Sequence, residues 1–128
     1  MSDDSGIEAR MRLAGLADLP LGEGATVPAG VLQQDAALLG RLLAGAAQSG
    51  GPGGRGVSDD DVAAGLALFE DMRTALDRLE TQVVIEARRR GMEWRQIASH
   101  QGMKSSQAAS QRYQRLVTRL EEIRQGIR

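Results

Sequence analysis

The chain has 128 residues, enough for one modest domain with an arm, and alanine, leucine and arginine dominate a composition with a single Trp, Tyr and Phe and no cysteine. Sparse β-branched residues favour helix, and the lack of cysteine excludes disulfides and thiol chemistry and fits a reducing compartment. The formal net charge of −1 conceals a division: residues 1–84 hold 6 Lys/Arg and 13 Asp/Glu, net −7, and residues 85–128 hold 10 and 4, net +6. A basic end on an acidic body points to a polyanionic partner; chance clustering, or a basic face packed on an acidic partner subunit, is the plainer alternative.

The opening "MSDDSGIEAR" is acidic and has no apolar stretch, so no signal peptide is expected. "IEARMRLAGLADL" predicts a short helix using Ile7, Met11 and Ala14, and Pro20, Gly22 and Gly24 end its regularity. From Pro28, placed by its missing N–H in a first turn, "VPAGVLQQDAALLGRLLAGAAQ" predicts a second helix. Leu32, Leu39 and Leu43 share one side of it, and Val31, Leu38 and Leu42 lie beside them. Gly30, Gly40 and Gly45 each weaken it by about 1 kcal/mol relative to alanine, so it needs a packing partner. The longest apolar run, "DAALLGRLLAGAA", is too short for a bilayer and carries Arg41, so no membrane segment is expected and a cytoplasmic, nucleoid-associated protein is.

"SGGPGGRG" at 49–56 is a linker: glycine at that density buries nothing to offset its chain entropy. A phosphate-cradling loop needs a preceding strand and a following Gly-Lys-Ser/Thr, and neither is present. Ser58 then opens the longest helix, with an acid three residues on and three acids against the positive end of the helix dipole. Val62, Leu66, Phe69, Met72, Leu76, Leu79, Val83 and Ala87 advance by threes and fours along a rod of about 45 Å. Gly91 ends it, behind the favourable triplet Arg88, Arg89 and Arg90. Leu68, Ala75 and Val84 lie off the main stripe; either the N-terminal helix covers them or they form a dimer seam.

Glu93 to His100 reads as a short helix, "GMK" as a turn, and Ser105 as the start of a final helix reaching about Gln125. A bihelical DNA-reading unit needs a small residue at the crossing, here Ala98, and a positive-φ residue in the turn, here Gly102. Ile97, Met103 and Ala108 lock the crossing, and Trp94 plugs the unit against the long helix. Gln101 and Gln111 fall where that pattern prefers apolar residues. With Ala109 central to the buried face, Tyr113, Leu116, Leu120 and Ile123 follow it, and the opposite face carries no acid before Glu121. Ser106, Gln107, Ser110, Gln111 and Gln114 are the candidate base contacts, since Gln matches adenine bidentately and serine serves bases or phosphates. Arg88, Arg89, Arg90, Arg95, Lys104, Arg115 and Arg119 are the candidate phosphate contacts, and Arg112 is expected to pair with Glu86 or Glu93. The plainer alternative is a helical hairpin with a polar face. A lone His100 without clustered carboxylates excludes neither, but gives no catalytic or metal set.

"GMKSSQAASQRYQRL", preceded by "ARRRGMEWRQIA", resembles small actinobacterial helix–turn–helix proteins in which a Gln-Ala-Ala-x-Gln-Arg-Tyr run follows a Trp-centred helix, some of them described as heat-shock gene regulators. The resemblance covers about residues 60–120 and implies a DNA-binding regulator. Where those proteins commonly have Arg, Glu and Leu, this chain has Ser106, Ser110 and Gln114, so their target sequence does not carry over.

The expectation is an all-α protein: a helical arm and Gly-rich linker at 1–57, then a long helix and wingless helix–turn–helix at 58–128, with too few residues after Gln125 for a wing. Double-stranded DNA is the expected partner and a homodimer the expected assembly, with no enzymatic activity and no cofactor or metal. The rival readings are an adaptor whose basic face binds RNA polymerase or a sigma-like factor, and an architectural binder without sequence preference.

Overall fold

The computed structural model describes residues 3–16, 18–19, 23–48 and 56–126. Among them the chain is all-helical: α1 spans Asp3–Ala14, α2 Glu23–Ala47, α3 Asp59–Arg89, α4 Trp94–His100 and α5 Ser106–Gln125. None of these helices is long and apolar enough to cross a membrane. Most of the linker expected at 49–56 lies outside the described residues.

The boundaries of α3, α4 and α5 follow from local chemistry. Ser58 caps α3 reciprocally: its Oγ accepts from the Asp61 N–H at 3.1 Å, and its own N–H donates to Asp61 Oδ2 at 3.0 Å. At the other end Gly91 takes φ +86°, its N–H donates to the Arg88 carbonyl, and the Met92 N–H reaches the Ala87 carbonyl at 3.0 Å. That pair of bonds is a Schellman motif, which only a residue tolerant of positive φ closes cheaply. The same device ends α4. Gly102 sits at φ +73°, donating to the Ser99 carbonyl, and the Met103 N–H donates to the Ala98 carbonyl at 2.8 Å. Ser105 then caps α5, its Oγ accepting from the Ala108 N–H at 3.1 Å.

α2 packs along α3 as an antiparallel hairpin. Gly65 marks the closest approach: a Cβ there would stand 2.6 Å from Leu42 Cδ2 and 3.3 Å from Leu39 Cδ2. Nearer the other end, Val27, Pro28 and Val31 share a cleft with Thr74, Ala75 and Arg78 of α3 and Leu120 of α5. The N-terminal helix thus folds back onto the rod, the monomeric arrangement weighed against a dimer seam. Pro28 differs from its expected first-turn place. α2 begins upstream, at Glu23, and Pro28 lies inside the helix and buried. α1 includes Ile7, Met11 and Ala14 as predicted but begins earlier, at Asp3, and its apolar residues stay outside: Ile7 is 53% and Met11 70% exposed.

The covering of α3 reverses the expected priority of its faces. Ala75 and Val84, off the periodic stripe, are buried, and Leu68 is half-buried beside α2. The stripe itself is left largely open, with Leu66 67%, Leu76 54% and Val83 68% exposed. A second core gathers where α4 and α5 meet the end of α3. Val84, Ile97, Ala98 and Ala109 are buried together, with Ala87, Met92, Trp94, Met103 and Tyr113 packed around them.

Candidate nucleic-acid interface

α5 is positioned by contacts at three heights along α3. At its base, the small residues Ala98 and Ala109, each 2% exposed, let α4 and α5 approach closely. Trp94 and Tyr113 close this base with ring centroids 5.7 Å apart, and the Arg88 guanidinium lies 5.1 Å from the Trp94 ring. In the middle, Arg112 grips Glu80 of α3 through two bonds, Nε to Oε2 at 2.5 Å and Nη2 to Oε1 at 2.7 Å, and Gln101 donates to the same carboxylate at 2.9 Å. Higher up, Arg119 reaches Glu70 at 2.9 Å and Asp77 at 3.6 Å. The Arg112 bonds hold the Glu80 carboxyl below its usual range although burial pushes it the other way.

Two sequence expectations change here. Arg112 pairs with Glu80, not with Glu86 or Glu93, because α5 runs along α3 and brings Arg112 beside Glu80. Gln101, polar where an apolar residue was expected, is the second donor to that carboxylate. Glu80 itself carried no local signal, since its partner is 32 residues away in the chain.

On the outward side of α5, Ser106, Gln107, Gln111 and Gln114 are exposed, with Arg115 and Thr118 beyond them. Ser110 is half-buried, and its hydroxyl donates back to the Gln107 carbonyl at 3.2 Å. Gln107, Gln111 and Gln114 follow one another at helical spacing, so three amide side chains, each both donor and acceptor, stand on one ridge. Around this ridge the expected phosphate-binding cations divide. Arg95, Lys104 and Arg115 are exposed and pair with no carboxylate among the described residues. Arg88 donates to the Met92 carbonyl at 2.9 Å and stacks on Trp94, and it pairs with no carboxylate among the described residues. Arg89 and Arg90 share Glu86, whose carboxyl they draw down to about 2, Arg89 contributing most. Arg119 is half-buried in its ion pairs to α3. The sequence put these seven cations in one set; the fold separates three open ones from those already engaged.

The arrangement offers a rigid, acid-free helical face rimmed by cations, a surface suited to a polyanion with readable edges. No protein-family model, curated protein or solved structure matches the chain.

Proposed function

We propose that the protein is a sequence-specific double-stranded-DNA-binding regulator of transcription that inserts α5 into the major groove, with α4 as the supporting helix of a wingless helix–turn–helix. One observation carries this: the exposed ridge Gln107, Gln111, Gln114, with Ser106 at its start, lies on a helix clamped to α3 by Arg112 and Glu80. A helix kept only for solubility carries interleaved acids and bases on its open face, whereas here no acid precedes Glu121. Glutamine amides discriminate base edges, and Arg95, Lys104 and Arg115 supply the sequence-independent attraction to phosphates. Ser110, Arg88, Arg89, Arg90 and Arg119 are secondary contributors, since their side chains already have partners.

One head reads few base pairs, so useful specificity needs a homodimer on paired half-sites. The test is equilibrium binding to a duplex selected from a random pool and to an unselected duplex, each across a salt series. The reading expects tighter binding to the selected duplex at every salt concentration, and weakening of both as salt rises. Equal affinities would indicate an architectural binder. No salt-dependent binding to either would remove DNA as the partner and turn attention to an acidic protein surface such as one on RNA polymerase.

A further inference from the structure

We infer that the exposed stripe of α3 is the seam of an antiparallel homodimer, two α3 rods pairing about a twofold axis near residue 74. This rests on the dimer in the DNA-binding reading and gives it a surface, a direction and a register. Val62, Phe69, Leu76 and Val83 recur at seven-residue spacing, all well exposed, with Leu66 beside them and Met72 and Leu79 half-buried in the intervening places. A strict seven-residue apolar repeat drifts by about 20° per heptad on a straight helix and is kept on one face by winding against another helix. α2 and the α4–α5 unit occupy the neighbouring flanks of α3 and leave this ridge open.

Charge fixes the direction. α3 begins with Asp59, Asp60 and Asp61 and ends with Arg88 and Arg89, followed by Arg90. A parallel pair sets acids against acids and arginines against arginines, whereas an antiparallel pair sets each acidic end against a basic one and opposes the helix dipoles. The apolar repeat and the charges agree on one register. Phe69 falls beside Leu79 of the partner subunit and Leu76 beside Met72 of the partner subunit. The acidic start of α3, at Asp61, then comes beside the arginines at the end of the partner's α3, within two residues of Arg89 of the partner subunit.

This pairing also orients the reading heads. In an antiparallel pair the same flank of both helices lies on the same side, so the flank bearing Glu70, Asp77 and Glu80, where α5 is held, faces one way in both subunits. The base of α5 packs at Val84 and Ala87, ten to thirteen residues from the axis. At 1.5 Å per residue the two heads stand about 30–39 Å apart along the rods, which brackets the spacing of successive major grooves, about 34 Å.

The experiment is done on the full chain without DNA, so that its outcome is independent of any failure to bind a duplex. Sedimentation measures mass, and spin-label distances are taken from Ala63→Cys and, separately, Arg78→Cys, both exposed and off the seam in a chain with no other cysteine. An antiparallel pair offsets the labels along the rod by about 33 Å at position 63 and about 12 Å at position 78; a parallel pair offsets neither. The expected result is a dimer with those position-dependent offsets, reduced to monomer by Leu76→Glu with helical content intact. A monomer, a dimer without the offset at position 63, or a dimer untouched by Leu76→Glu would each overturn the inference.

Discussion

At Glu80, one carboxylate receives the Arg112 guanidinium at two points and the Gln101 amide at a third, joining α3, the turn after α4, and α5. Its side chain is 18% exposed, so the bonds are partly shielded from water. Glu80→Ala is expected to cost about 1.5–3 kcal/mol, the range for hydrogen bonds to charged groups, measured by urea denaturation at neutral pH. The pH dependence has a definite sign. Because Arg112 lowers the folded-state pKa of Glu80, its contribution is fully present above the unfolded carboxylate pKa and disappears as pH falls through the folded one. Glu80→Gln should therefore show a shallower loss of stability than the parent below about pH 4.5, and identical acid limbs would argue that the clamp is dispensable. For recognition, Gln107→Ala or Gln111→Ala is expected to cost about 1–3 kcal/mol on a selected duplex and much less on an unselected one. Arg95→Ala should weaken both alike, since a phosphate contact carries no sequence. Glutamine variants that lower both affinities equally, with the fold intact, would mean that these amides do not read bases.

Helix ends and helix contacts make separable predictions. The space around a Cβ at Gly102 is open, so Gly102→Ala strains only the backbone, at φ +73°, and is expected to cost about 1–2 kcal/mol in thermal or urea unfolding. Ser105→Ala removes the acceptor for the Ala108 N–H at the start of α5 and is expected to cost about 1 kcal/mol. Gly65 presents the opposite case: its backbone is ordinary helix, but even a Cβ would press on Leu42. Gly65→Leu is expected to push α2 off α3 at a cost of about 1–3 kcal/mol. Hydrogen exchange should then quicken along α2 while Val84, Ile97 and Ala98, in the other core, keep their protection. Equal loss of protection in both places would show that the two cores form one cooperative unit.

Taken whole, the molecule carries most of its acids before residue 85 and a net charge of +6 after it, with Arg95, Lys104 and Arg115 exposed around α5. Binding to DNA should therefore follow the logarithm of salt concentration, each phosphate neutralised adding about 0.9 to the slope on duplex DNA. Lys104→Ala, removing an exposed cation that pairs with no carboxylate among the described residues, is expected to lower that slope by about 1. Arg119→Ala should instead act on stability, because its guanidinium is occupied by Glu70 and Asp77. An unchanged slope for Lys104→Ala would place the turn outside the phosphate-facing surface.

The all-helical class and the limits of α3, α4 and α5 were legible in the sequence because they rest on interactions three to five residues apart, and the crossing at Ala98 and Ala109 because the turn between those helices is short. Ser58 with Asp61, Ser105 with Ala108, and the positive-φ glycines at 91 and 102 decide those limits within one turn of helix. The ridge Gln107, Gln111 and Gln114 was legible for the same reason: once Ala109 centres the buried face, helical geometry dictates what points away. The covering of α3 was decided by tertiary structure. A 31-residue helix with apolar groups on several sides does not announce which side a distant helix will use, and α2 chose the flank where Gly65 permits close approach. The same long-range step set Arg112 on Glu80 and engaged Arg119 with α3, because charge partners depend on which helices come to lie side by side, not on their separation along the chain.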